Sequence, residues 1–236
     1  MPELTVLYDN YSVTGNTVAD WGFSCQIQGF DQTILFDTGA DAEILARNAV
    51  ALGIDLRAIE TVVISHNHWD HTGGLDWVLK VNYRPRVFCP SVVSNELRGI
   101  ISDAGAYLIQ VDAPLEICEN VWLTGAMGEG TLTEQALILT GRKGTAVITG
   151  CSHPGIVEIV KRVKQIAPGD IHLALGGFHL KGHSEAEVRE IARALKAAGV
   201  QTVSPSHCTG TEAIALFAEH FRDNYFKIGT GYSLVF

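Results

Sequence analysis

Within six positions, His66-Asn67-His68-Trp69-Asp70-His71, the chain places three imidazoles and a carboxylate. The cluster follows an apolar β-branched run, Thr61-Val62-Val63-Ile64, and leads into Thr72-Gly73-Gly74. That order predicts a strand running into a glycine-marked loop rather than a helix. On extended backbone alternate side chains share a face, so His66 and His68 meet at one locus while the following turn swings Asp70 and His71 toward a neighbouring one. Imidazole nitrogen and carboxylate oxygen are the donors that suit a zinc-like ion. A solvated loop accounts for one histidine but poorly for four such donors at this spacing.

The 236 residues, 47% of them hydrophobic and 18% charged, are enough for a substantial buried core. A formal charge of −9 argues against a broad electrostatic footprint for nucleic acid. Met1-Pro2-Glu3-Leu4-Thr5 has no basic region and no apolar run, and no later segment approaches the length of a membrane span. The expectation is a soluble, cytoplasmic protein with neither a nucleic-acid nor a membrane partner. Cys25, Cys89, Cys118, Cys151 and Cys208 form an odd set without a CxxC pair, which reads as reduced thiols. Cys151 and Cys208 stand near histidines of interest, and packing is the role expected of both.

Short apolar runs at Leu4–Tyr8, Phe23–Ile27 and Thr33–Phe36 read as strands, followed by a helix from Ala42 to Leu52 and the strand before His66. A helix from Leu75 to Val81 follows the cluster. Further strands are expected at Arg86–Cys89, Tyr107–Val111, Val121–Thr124, Ala136–Thr140, Thr145–Thr149, Ile171–Leu175, Val200–Ser204, Phe226–Ile228 and Ser233–Phe236. Pro154 suits the first turn of a helix reaching Ala167. Ser184 with Glu187, and Thr209 with Glu212, carry capping-box spacing for two more helices, ending near Gly199 and Phe221. Many strands in both halves with helices between them imply an α+β fold, a four-layer αββα sandwich of two mixed sheets with helices outside. No linker interrupts residues 1–236, so a single domain is expected.

Two further histidines stand between a strand and a helix: His153 in Gly150-Cys151-Ser152-His153-Pro154-Gly155, and His207 in Ser206-His207-Cys208-Thr209-Gly210. With these in place the chain resembles the metallo-β-lactamase-fold hydrolases. Their HxHxDH motif is matched by His66, His68, Asp70 and His71, their early Asp by Asp37, and their later histidines by His153 and His207. The resemblance implies two divalent metal ions, zinc with manganese or iron as alternatives. His66, His68 and His153 would hold one, and Asp70, His71 and His207 the other, with Asp37 orienting the ligand loop. The phrases at Gly150–Gly155, Gly176-Gly177-Phe178-His179-Leu180 and Ser206–Gly210 further resemble the dihydropterin synthase-like branch, whose name does not by itself transfer an activity.

One departure stands out. Most dinuclear members of the family carry a bridging Asp at the end of the strand between the last two histidines, where this chain has Gly176-Gly177-Phe178-His179. Asp170, seven residues upstream, is about 23 Å away on extended backbone and cannot substitute. His179 is therefore a candidate replacement ligand, or an acid or phosphate contact facing the substrate. His183 beside Lys181 reads as an anion contact or an exposed loop residue, His172 and His220 as structural residues, and Trp69 as a wall of the pocket or an ordinary packing residue. The segment Tyr8–Ser12 reads as a pocket lining or a polar turn.

The function expected is hydrolysis of an anionic ester or phosphoester small molecule by a metal-activated hydroxide, with Asp70 holding the water and His179 assisting the leaving group or gripping the substrate. The alternatives are a pterin-phosphate condensing synthase and a non-catalytic, metal-dependent ligand sensor.

Overall fold

The computed structural model describes residues 2–82 and 84–235. The chain builds two mixed sheets. The first is formed by β1 (Glu3–Tyr8), β2 (Ser24–Gln28), β3 (Ile34–Phe36), β4 (Thr61–Val63), β5 (Arg86–Pro90) and β6 (Tyr107–Val111). The second contains β7 (Leu115–Cys118), β8 (Val121–Leu123), β9 (Leu137–Gly141), β10 (Gly144–Thr149), β11 (Ile171–Gly177) and β12 (Val200–Ser206). The last strand, β13 (Ser233–Val235), returns to the first sheet, giving the orders β13-β1-β2-β3-β4-β5-β6 and β12-β11-β10-β9-β8-β7. β3 to β6 run parallel to their neighbours, as do β10 to β12, while the remaining pairs are antiparallel.

The helices are α1 (Ala42–Ala51), α2 (Trp69–Thr72), α3 (Leu75–Val81), α4 (Asn95–Asp103), α5 (Ile156–Ile166), α6 (Glu185–Ala197) and α7 (Thr211–Phe221). The layering follows from strands that are apolar on both faces. Ile34 and Phe36 point between the sheets to meet Ile148, Leu173 and Leu175, whereas Leu35 points outward to the cluster holding Leu45, Leu75 and Val78 of α1 and α3. On the other side Val147 and Ala174 face Ile159, Val160 and Val163 of α5, Val188 of α6 and Phe217 of α7. This is the αββα sandwich expected from the sequence. Each fully buried Leu or Ile in these clusters contributes roughly 1.5–3 kcal/mol of transfer free energy.

Several local expectations are corrected. Pro154 is not in the first turn of α5: Gly155, at φ 93°, is the N-cap and the helix begins at Ile156. Thr209 does not cap α7, because its hydroxyl accepts from the Phe178 amide and Gly210 takes the cap position. Residues 226–228 form no strand. Phe226 N–H bonds Val203 O, Ile228 turns into the core between the sheets, and the chain crosses there to reach Tyr11. Phe236, included in the last predicted strand, lies outside the described residues. Three elements were not foreseen: the single-turn α2 inside the histidine cluster, where a loop was expected, α4, which carries Gly99 in mid-helix and is started by Ser94 Oγ accepting from Leu97 N, and the short edge strand β7. The Ser184–Glu187 capping box is present on α6.

Candidate metal centre

The parallel strands of both sheets end at one edge of the sandwich. In the second sheet Thr149, Gly176 and Pro205 stand level in the ladder, so the segments after β10, β11 and β12 leave side by side. In the first sheet β4 runs through Ser65 into an extended His66–His68 stretch. The turn that follows is helical: α2 carries Asp70 and His71. Its exit is clamped against the loop after β3, with Gly73 N bonded to Gly39 O and Thr38 N to His71 O. A side chain on Gly73 would strike the Ala40 carbonyl, which explains the glycine there.

Four of the non-glycine residues at positive φ follow strands that end at this edge: Asp37 (56°), Ser152 (66°), His179 (52°) and His207 (50°). This conformation is disfavoured for an L-residue by roughly 1–2 kcal/mol. It turns the chain sharply and throws the side chains across the edge, and such strain gathers where a site depends on it.

The donors form two adjoining sets. His66 Nε2 and His68 Nδ1 are 3.1 Å apart, and the His153 ring centroid is 4.6 Å from that of His66 and 4.8 Å from that of His68. In the second set donor atoms of Asp70, His71, Cys151 and His207 all lie within 4.8 Å of one another. Asp70 Oδ2 is 3.3 Å from His207 Nε2 and 3.8 Å from His71 Nε2. The sets touch through the His66 and His71 rings, 4.2 Å apart.

Each imidazole but His68 is anchored through Nδ1. His153 Nδ1 is 2.9 Å from Glu134 Oε2, His71 Nδ1 2.7 Å from Asp37 Oδ2, and His207 Nδ1 2.9 Å from Asn10 Oδ1. Ser65 Oγ donates to Asp37 Oδ2 and so accepts from His66 Nδ1, at 2.8 Å. These partners fix the tautomer that leaves Nε2 as a bare lone pair, the arrangement that orients histidine toward a cation. His207 Nε2 is buried and has no hydrogen-bond partner. A buried polar atom of that kind is costly unless something completes it. The N···N and N···O separations of 3.1 and 3.3 Å also match donors shared by one tetrahedral ion, about 3.3 Å apart at zinc–nitrogen bond lengths. The residues fit a metal.

The electrostatics agree with that fit. Burial drives His66 well below the usual imidazole value and His71 down to about 3, with His207 adding to the second effect, so both rings are neutral. Burial also lowers His68 and His179, and the neighbouring His153 reinforces it. Asp70 and Glu134 go against their burial. His207 and His71 beside Asp70, and His66, His153 and the Ser152 amide around Glu134, hold both carboxyls well below the usual range. Asp37 is pushed up by burial, which the Ser65 amide and hydroxyl counter only in part.

Residues 27–207 match the sequence profile of the Metallo-beta-lactamase superfamily, more than half of the chain. The chain belongs to that superfamily. A curated relative from Methanocaldococcus jannaschii, 7,8-dihydropterin-6-methyl-4-(beta-D-ribofuranosyl)-aminobenzene-5'-phosphate synthase, is 26% identical over 86% of this chain and 84% of its own. The solved structure of Tm1679, a metal-dependent hydrolase of the beta-lactamase superfamily, superposes with a TM-score of 0.82 at 28% identity, covering 100% of this chain and 99% of that one. The metallo-beta-lactamase fold protein YhfI from Bacillus subtilis aligns over 100% of both chains with a TM-score of 0.69 at 15% identity, a likeness of fold alone.

Within this superfamily member the structure brings His66, His68, Asp70, His71, His153 and His207 together and places Asp37 behind them. His179 joins neither donor set. It is exposed, with its ring 4.6 Å from that of His153, over a cleft of ≈ 320 Å³. His183 lines the same cleft. Trp69 is 63% exposed, more than ordinary packing would leave it. His172 and His220 lie on β11 and α7, outside both donor sets.

Four site residues were not singled out from sequence. Cys151, expected to pack, is buried, and its Sγ lies 3.3 Å from His71 Nε2. Glu134 accepts the amides of Cys151, Ser152 and His153 as well as the His153 ring. Asn10 holds His207 through both ring and carbonyl, which gives the Tyr8–Ser12 segment a place at the site. Trp21 donates its indole N–H to Asp70 Oδ2 at 2.8 Å. Cys151, near His153, and Asn10, inside the Tyr8–Ser12 segment, left a signal in the sequence, whereas Glu134 and Trp21 left none.

Proposed function

We propose that this chain is a metal-dependent hydrolase of small, anionic ester or phosphoester substrates. In this reading His66, His68 and His153 hold one divalent ion and Asp70, His71 and His207 a second, with zinc preferred over manganese or iron because imidazole dominates the donors. The observation that carries it is the convergence of Nε2 atoms whose Nδ1 partners are all supplied by the protein, His207 Nε2 being buried without a hydrogen bond. Ions bound there would acidify water and polarise the oxygen under attack.

The chain's own residues supply positioning. Trp21 fixes one oxygen of Asp70, and the carboxylate orients the attacking water. His179 stands at the solvent side of His153, where it contacts the leaving group or the substrate. Ile156, Val157, Leu180 and Ile191 give the adjoining cleft an apolar wall, and His183 in its lining complements an anion. Five thiols without a disulfide support a reducing, cytoplasmic setting. Among the described residues no helix is long and apolar enough to cross a membrane.

Protein loaded with zinc or manganese is expected to cleave at least one of an activated phosphodiester, phosphomonoester, thioester or lactone, and Asp70→Asn to lower that rate by about 100-fold. Cleavage of none, or an unchanged rate in Asp70→Asn, overturns the reading. The likeness to the M. jannaschii synthase favours a second reading, condensation of a dihydropterin diphosphate with an aminobenzene phosphate. Product analysis with those substrates separates the two.

A further inference from the structure

The bridging carboxylate of related sites has no room here. A Cβ on Gly177 would collide with the Gly150 carbonyl, lie 2.6 Å from Cys208 Sγ and 3.3 Å from Cys151 Cα. The end of β11 is covered by the turn after β10, and what that turn offers in exchange is a thiol. Among the described residues Cys151 is the one whose donor atom falls in both sets: with Asp70, His71 and His207 within 4.8 Å, and with His66 and His153 within the same limit. Its Sγ stands 3.3 Å from His71 Nε2. Nitrogen and sulfur on one tetrahedral zinc lie about 3.5 Å apart at ordinary bond lengths, so this pair is already near the separation of two ligands to one ion.

We propose that Cys151 is a shared metal ligand, its sulfur joining the two donor sets where related sites use a carboxylate. The proposal rests on the metal-binding reading above. The thiol gives its proton to solvent as the sulfur–metal bonds form, because a coordinated thiol is deprotonated. Glu134 acts as a positioning residue here: by accepting the amides of Cys151, Ser152 and His153 it sets the turn that faces Sγ and the His153 ring toward the same centre. A sulfur in this place shifts the site toward softer ions and away from magnesium, which the imidazoles alone do less strongly.

Cobalt(II) titration of the metal-free protein tests this, read by the near-ultraviolet sulfur-to-cobalt charge-transfer band together with bound metal by elemental analysis. Wild type is expected to show the band. Cys151→Ser should lose it and bind the second equivalent about ten-fold or more weakly, Cys151→Asp should regain the second equivalent without the band, and Cys208→Ala should keep both. Two bound cobalt ions without a band, a band that persists in Cys151→Ser, or one lost in Cys208→Ala would each overturn the bridge while leaving the metal reading intact. A wild-type protein that takes up no cobalt overturns both. Should Cys151→Ser fail to fold by circular dichroism, X-ray absorption of zinc-loaded wild type and Cys208→Ala decides: sulfur in the coordination shell of both supports the bridge, and its absence from either overturns it.

Discussion

The carboxylate of Glu134 accepts three successive backbone amides and one imidazole, all between 2.8 and 2.9 Å, from a fully buried position. It shapes the 151–153 turn without facing the centre itself. Replacing Glu134 by Gln preserves volume but turns an amide N–H₂ toward donors. We expect a loss of about 1–3 kcal/mol of stability in urea titrations. A 10–100-fold drop in metal affinity by chelator competition should accompany it. Residues of this kind explain where reading by spacing stops. His66, His68, Asp70 and His71 declare themselves because ligands of adjacent positions share one short segment. Glu134 and Asn10 reach His153 and His207 across 19 and 197 positions, and no local pattern marks such a contact.

Among the elements, most strands were legible because they are apolar runs, though the exposed edge strand β7 was not and the run at 226–228 misled. The helix α6 was legible because its capping box is local chemistry. The misread ends were settled by tertiary demands instead. Thr209 serves the Phe178 amide rather than α7, and Gly155 displaces Pro154 as the start of α5. Two contrasting changes test this division. Ser184→Ala removes a cap that belongs to neither donor set and should lower stability by about 1 kcal/mol with metal affinity unchanged. Arg222, which ends α7 at φ 53° and ψ −117°, holds a glycine-like conformation outside both donor sets. Arg222→Gly should therefore gain about 1 kcal/mol, raising the thermal midpoint by roughly 2–4 °C. The same relief is not open to His207, whose φ of 50° aims a donor.

The whole molecule assembles the centre from both halves of the sandwich: His66, His68, Asp70 and His71 follow β4 of the first sheet, His153 and His207 follow β10 and β12 of the second. The αββα layering was readable from the alternation of strands and helices, and the resemblance of the histidine motif pointed to the same fold. A cation bound there ties the sheets together at one edge, beyond the apolar layer between them. Zinc at 100 times its dissociation constant should stabilise the fold by about 2.7 kcal/mol, an increase in thermal midpoint that a chelator reverses and His207→Ala diminishes.

Donors split in this way also fix an order in time. Neither half owns a complete set, so an ion cannot be captured until both sheets have formed and docked, late on the route from the open chain. Metal should then slow unfolding while leaving the refolding rate almost unchanged, a signature that stopped-flow measurements with and without zinc will read directly. The cation acts as the latch on a finished structure, not as the template on which it is made.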